Sequence, residues 1–397
     1  MSYLDRALSR ALSIADLRRI AMRRLPRSVF EFIDGGAEDE LTLAGNRAAF
    51  ERLRIVPRVL VDVSTPELQT EIVGQPAAAP FVIAPMGCCA LVWPDADLAI
   101  ARAASAHGIP FTLSTMATIS IERMADAVQG RLWFQLYVFR DRAMTDSLVD
   151  RANSAGYEAL VVTVDLPAGG KRERDLRNGI SVPLRLTGRH LVEGITHPGW
   201  ALRMLRGGLP KFENVRGLLG DDSAGLTIAA RVGQNLDAAY DWDGLARLRE
   251  RWPRKLLVKG VAHPADAARM VSLGVDGIWV SNHGGRQLDG AIASADALPR
   301  VAAEVQGKAA LLIDSGVCRG IDALKARALG AQAVAIGRAA LFGASAGGEA
   351  GVRRALEILT GELALAMKLS GVSTLKSVDH SILSASTQPA VPAPAMT

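Results

Sequence analysis

The chain has 397 residues, 49% of them hydrophobic, with Lys+Arg 46 against Asp+Glu 41, a formal charge of +5. That is ample for a sizeable core, and the mild basic excess forms no nucleic-acid stripe: arginines cluster near 18–27 and 202–216, where an anionic substrate, a phosphate or a membrane surface would each account for local charge. The Cys residues at 88, 89 and 318 are odd in number and lack metal-ligand spacing, which excludes a disulfide scaffold, argues against a metal site and fits a reducing compartment.

The start, Met1-Ser2-Tyr3-Leu4-Asp5-Arg6, has no long apolar core after a basic head, so no signal peptide is expected. No run of about 18 apolar residues occurs, so no transmembrane helix is expected either. Residues 12–33 read as helical, with Leu17, Ile20, Ala21 and Leu25 on one face and Pro26 opening a second helix. Asp34-Gly35-Gly36-Ala37 ends it in a turn. Residues 46–75 read as irregular chain or short strands, broken at Pro57 and Pro66.

From residue 80 the pattern becomes regular. Short apolar runs occur at Phe81–Pro85, Phe111–Ser114, Leu132–Leu136, Ala159–Val164, Lys255–Val258, Gly277–Ser281, Ala310–Ile313 and Ala333–Ile336. Helical stretches lie between most of them, for example 96–107, 119–128, 142–155, 264–273 and 320–329. Buried strands alternating with helices in this number predict an α/β fold, a (β/α)8 TIM barrel with an N-terminal helical segment; an open doubly wound sheet is the alternative. One crossover is far too long. About ninety residues separate Val164 from Lys255, which places a long insertion, 176–240, after strand 4. It carries His197-Pro198-Gly199-Trp200-Ala201-Leu202-Arg203, where large apolar residues interleave with arginines. Two readings stand: a lid over the barrel mouth, or an interfacial segment at 190–220 that dips into a membrane surface. The domain is expected to span 1–384, with a disordered tail at 385–397 rich in Pro, Ala, Ser and Thr.

A barrel places functional residues just past the C-terminal ends of its strands. Unusual polar residues recur there: Ser114, Gln135 with Tyr137, Thr163 with Asp165, Lys259, Ser281 with His283 and Arg286, Asp314, and Gly337 with Arg338. His283 and Arg286, set among glycines directly after a buried strand, present a base and a cation to an anionic substrate. Asp165 is suited to hydrogen-bond the imidazole and stabilise its cation, Arg286 to grip a carboxylate, and Tyr137 to bond a substrate oxygen. Gly316, Gly320, Gly337 and Arg338 after strands 7 and 8 read as a phosphate site. No GxGxxG follows the first strand, so a mononucleotide such as FMN fits better than a dinucleotide, with Lys259 beneath the flavin ring. An isomerase or aldolase holding a phosphorylated substrate is the competing enzyme reading, and a non-catalytic flavin-binding protein is a third.

Ser281-Asn282-His283-Gly284-Gly285-Arg286-Gln287-Leu288-Asp289 resembles the active-site motif of the FMN-dependent L-2-hydroxy acid oxidases and dehydrogenases. Phe32–Glu40, Phe134–Tyr137, Thr163–Asp165, Arg172–Asp175 and Val258–Gly260 extend the likeness over roughly residues 12–375. The resemblance implies FMN contacts at Ala84, Pro85, Met86, Ser114, Gln135, Thr163, Lys259 and Ser281, and phosphate contacts at Asp314, Gly316, Gly337 and Arg338. It implies a catalytic set of Tyr137, Asp165, His283 and Arg286, with Arg172, Phe32 and Gly87 lining the substrate. Gly87, the Leu132–Tyr137 stretch and the His197–Trp200 insertion resemble the mandelate-oxidising members. That likeness implies oxidation of an (S)-2-hydroxy acid, aromatic and mandelate-like, to the 2-oxo acid; alternatives are an O2-using oxidase of mandelate or 4-hydroxymandelate, and a dehydrogenase of lactate- or glycolate-like acids. It also implies a quinone or O2 as electron acceptor, a homotetramer, and a cytoplasmic protein held peripherally on the inner face of the cell membrane. Three departures stand out. Phe32 occupies a position commonly Tyr and cannot hydrogen-bond, Cys318 one usually Arg, and Met86 one often Thr.

Overall fold

The computed structural model describes residues 3–179, 188–208, 210–215 and 234–384. The predicted tail at 385–397 and parts of the 176–240 insertion lie outside the described residues. Eight parallel strands close into a barrel: β1 Phe81–Ile83, β2 Phe111–Ser114, β3 Leu132–Leu136, β4 Ala159–Thr163, β5 Lys255–Val261, β6 Gly277–Val280, β7 Ala310–Ile313 and β8 Ala333–Ile336. They pair in chain order, and β8 returns to β1 through Val334↔Phe81 and Ile336↔Ile83. The strands are buried on both faces, which is why each reads as a nearly continuous apolar run. Inside the barrel Val82, Trp133, Val161, Leu257, Trp279, Leu312 and Ala335 fill a small inner core. A larger outer core binds the helices to the sheet.

The helices at Ile14–Arg24 and Arg27–Asp34 match the expected pair, with Ser13 capping the first and Gly35 ending the second. One expectation fails. Residues 46–52 belong to a helix, Leu41–Arg52, rather than to irregular chain. Its buried side is partly polar: Thr42 N donates to Asp289 Oδ1 at 2.8 Å, and Asn46 exchanges hydrogen bonds with Asn282 at 2.9 and 2.7 Å. This helix is docked by hydrogen bonds to the β6 loop, so apolar periodicity does not report it. The short strands Thr70–Ile72 and Gln75–Ala77 pair antiparallel outside the barrel.

Within the insertion the described part includes helices Glu173–Arg177, Gly188–Thr196 and Pro198–Gly207. Trp200 is turned inward, its indole donating to the Leu91 carbonyl at 2.8 Å, and Arg203 stacks on Trp93 at 4.7 Å. Val192, Ile195, Leu202 and Leu205 are left exposed. Among the described residues, no helix is long and apolar enough to cross a membrane.

Candidate active site

The rim residues predicted from the strand ends converge. His283 sits on a left-handed backbone, φ 59, directly after β6, with its N–H held by Ser281 Oγ at 3.0 Å. That turn aims the imidazole across the barrel mouth, where Nδ1 lies 3.0 Å from Asp165 Oδ1 after β4. Gly260 makes the approach possible: a Cβ there would stand 2.6 Å from the Asp165 Cβ. The same glycine, at φ 105, lies where the β5–β6 register shifts between Lys259 and Val261. Burial pushes the Asp165 carboxyl up, but the neighbouring His283 and the charge of Lys259 outweigh it and hold the group below its usual range. Its Oδ2 has no hydrogen-bond partner among the described residues.

Lys259 is buried, donating to Ser281 Oγ at 2.8 Å and pairing with Asp314 at 3.2 Å. Asp314 therefore neutralises Lys259 and accepts from Ser315 at 2.6 Å, a different task from touching a phosphate. Ser114 Oγ donates to Gln135 Oε1 at 3.1 Å, which leaves Gln135 Nε2, like Thr163 Oγ1 on the next strand, buried without a partner among the described residues. Unpaired polar atoms of this kind ask for a polar ligand edge. At Gly337 an added Cβ would meet nothing closer than 3.8 Å, and Ala84 and Met86 border that space. Together these features fit the predicted flavin contacts, with Pro85 and Ser281 flanking them in sequence.

Arg286 and Arg172 both contact the Phe32 ring, with guanidinium carbons 5.5 and 5.2 Å from the ring centroid. Arg286 Nη1 donates to the carbonyls of Phe32 and Gly35 at 2.9 and 3.0 Å, and no carboxylate lies within ion-pair range of it among the described residues. Burial first, then the charges of Arg172 and Arg338, push its guanidinium well down, a situation a bound anion would relieve. Arg172 pairs with Asp175 at 3.2 Å. Burial and the Asp165 charge push the Tyr137 hydroxyl up, so it stays a hydrogen-bond donor. Arg338, expected as a phosphate anchor, has part of its donor set in use. Its side chain donates to the carbonyls of Ile33, Gly284 and Gly35 at 3.1, 3.0 and 2.8 Å.

Sequence reasoning missed three neighbours. Met116 follows β2, and a Cβ on Gly87 would sit 2.8 Å from the Met116 Cβ. Cys88 is buried beside this pair, its N–H bonded to Met116 O at 3.1 Å and its thiol pushed up by burial to about 12. Asp175 was seen only as part of a motif. Met116 was findable as the first residue past the Ser114-Thr115 strand end; the other two carry no local signal.

The FMN-dependent dehydrogenase family model matches residues 21–385. A Mycobacterium tuberculosis protein provisionally named L-lactate dehydrogenase is 45% identical, covering 94% of this chain and 89% of its own. The (S)-mandelate dehydrogenase of Pseudomonas putida is 41% identical over 94% of this chain and 93% of its own. A crystal structure described as monotopic membrane protein (S)-mandelate dehydrogenase superposes with TM-score 0.90 at 40% identity, covering 94% of this chain and 99% of that one. The chain belongs to the FMN-dependent dehydrogenase family. It is a flavoenzyme, FMN is its cofactor, and its reaction is the oxidation of a 2-hydroxy acid.

Proposed function

We propose that the substrate is an aromatic (S)-2-hydroxy acid of the mandelate kind, oxidised to the 2-oxo acid with His283 as the base. The observation that carries this reading is Arg286, half-buried beside Arg172 and without a carboxylate partner among the described residues, with Tyr137 close enough to feel the charges of Arg286, Arg172 and Asp165 alike. The free Nε and Nη2 of Arg286 take the substrate carboxylate, and Arg172 adds a second positive charge. Tyr137 donates to a substrate oxygen. His283 Nε2 accepts the proton, and Asp165 on the opposite ring nitrogen fixes the tautomer and stabilises the cation that results. FMN, when bound, would supply the acceptor for the two electrons and the second hydrogen. Gln135, Thr163 and Lys259 would hold its ring, and the Gly316 and Gly337–Arg338 loops its phosphate. Phe32, Gly87 and Met116 give the substrate side chain an apolar wall, which favours an aryl group over the methyl of lactate.

The test is anaerobic bleaching of the yellow protein by a panel of 2-hydroxy acids. Bleaching by (S)-mandelate is expected; bleaching by lactate or glycolate but not by mandelate refutes the aromatic reading. The electron acceptor in this reading is a quinone, with O2 as the alternative that an oxygen-consumption assay separates. The exposed Val192, Ile195, Leu202 and Leu205 support peripheral contact of the 190–220 segment with the inner face of the cell membrane. Residues 209 and 216–220 of that segment lie outside the described residues. A homotetramer, checked by light scattering, completes the proposal.

A further inference from the structure

The loops after β7 and β8 are where a barrel of this type makes a phosphate site from freed backbone amides and a cation. In this chain part of that set is already committed. Cys318 N and Arg319 N both donate to Asp322 Oδ2 at 2.9 Å, and Gly320 N donates to Glu362 Oε2 at 2.7 Å. The nearby guanidiniums are committed as well. Arg47, beside the Cys318 thiol, bonds Glu51, the Gly316 carbonyl and both oxygens of Asp322. Arg18 forks onto Asp34 at 2.6 and 2.7 Å, and Arg319 pairs with Glu362 at 3.1 Å. Arg338 spends three N–H groups on carbonyls, which leaves the second N–H of each terminal nitrogen. The remaining donors are the amides of Ser315, Gly316 and Val317, which bond no group among the described residues, and the amides at the start of the helix Arg338–Ser370. At position 318, where the family resemblance implies an arginine, there is an exposed thiol.

We propose that Cys318 leaves the phosphate of FMN gripped by backbone amides and one partly committed arginine, so that the cofactor binds weakly and exchanges, and the thiol is accessible only when the phosphate is absent. A thiol carries no positive charge and is a poor donor, so it cannot replace the bidentate contact an arginine makes with a phosphate. Cofactor loading then becomes a variable of this enzyme: at low free FMN part of the protein is empty, with Cys318 open to thiol-reactive reagents.

The experiment titrates the full-length apo-protein with FMN and with riboflavin, which lacks the phosphate, following quenching of flavin fluorescence. Cys318→Arg is expected to tighten FMN by about tenfold or more, the effect of one charge-assisted contact, without changing riboflavin binding. Cys318→Ser is expected to change neither. In the wild type, FMN is expected to slow alkylation of Cys318 by iodoacetamide, read by peptide mass spectrometry, while riboflavin is not. If Cys318→Arg fails to fold, the alkylation comparison still decides. Equal FMN affinity in wild type and a folded Cys318→Arg protein overturns the proposal, as does alkylation at the same rate with and without FMN. No substrate is present, so the outcome does not depend on which hydroxy acid the enzyme oxidises.

Discussion

Replacing Asp165 by Asn isolates one charge at the centre of the site. The two side chains have the same shape, and the space Gly260 leaves for Asp165 accommodates either. What changes is the partner of His283 Nδ1 at 3.0 Å. Before proton transfer, the loss is that of a charge-assisted hydrogen bond relative to a neutral one, about 1–2 kcal/mol. Once the imidazole carries the substrate proton, the missing attraction between unit charges roughly 4 Å apart is worth up to about 4 kcal/mol at an effective dielectric of about 20. Anaerobic flavin reduction by substrate should therefore slow by between about tenfold and about a thousandfold. Stopped-flow absorbance of the flavin band measures that step directly, and the bound flavin in each sample confirms that the cofactor site is intact. Reduction within about twofold of wild type would refute the assignment of Asp165 as the group that stabilises protonated His283.

Other outcomes follow from the same geometry. His283→Ala should retain FMN and lose nearly all turnover, measured by steady-state rates on flavin-normalised protein. Phe32→Tyr adds a donor beside Arg172 and Arg286 and should lower the substrate KM by about two- to tenfold, one neutral hydrogen bond, with little change in kcat. Asp165 is held below the ordinary carboxyl value, so its stabilisation is present above that value and is lost as pH falls through the lower folded one. The Tm difference between wild type and Asp165→Asn should therefore hold from neutral pH to about 5 and shrink below about 4. Asp322, fully buried beneath Arg47 and two loop amides, should cost about 3–5 kcal/mol on replacement by Ala, read by urea unfolding. Leu202→Asp with Leu205→Asp should move the protein from the membrane to the soluble fraction of a lysate; unchanged partition would count against docking through that helix.

The barrel was legible because parallel strands covered on both faces are mainly apolar, with polar side chains gathered toward their C-terminal ends. Ser114, Thr163, Ser281 and Asp314 mark those ends in sequence as they do in space. His283 and Arg286 were legible for the same reason. The Leu41–Arg52 helix was hidden because its fixing partners, Asp289, Asn282 and Gly316, lie more than two hundred residues away along the chain. Hydrogen bonds across such separations leave no periodicity. Arg338 was read as a cation for phosphate because it follows β8, yet its side chain is turned to the carbonyls of the 33–35 turn. No local pattern shows how much of an arginine's donor set backbone oxygens already use.

That turn explains why the N-terminal segment and the site form one unit. Arg286 and Arg338 come from different strand ends, and both donate to the Gly35 carbonyl. Arg286 also holds the Phe32 carbonyl, and the Gly285 carbonyl accepts from Ala37 N at 2.8 Å. A Cβ on Gly36 would lie 2.9 Å from the Gly285 oxygen, so only glycine lets the two segments come this close. The bonds that fasten the helix Arg27–Asp34 across the barrel mouth therefore also fix the direction of the Arg286 guanidinium. Phe32 takes a favourable contact from that guanidinium and another from Arg172. Phe32 lacks a hydroxyl for the substrate, but its ring contacts the two cations proposed to take the carboxylate.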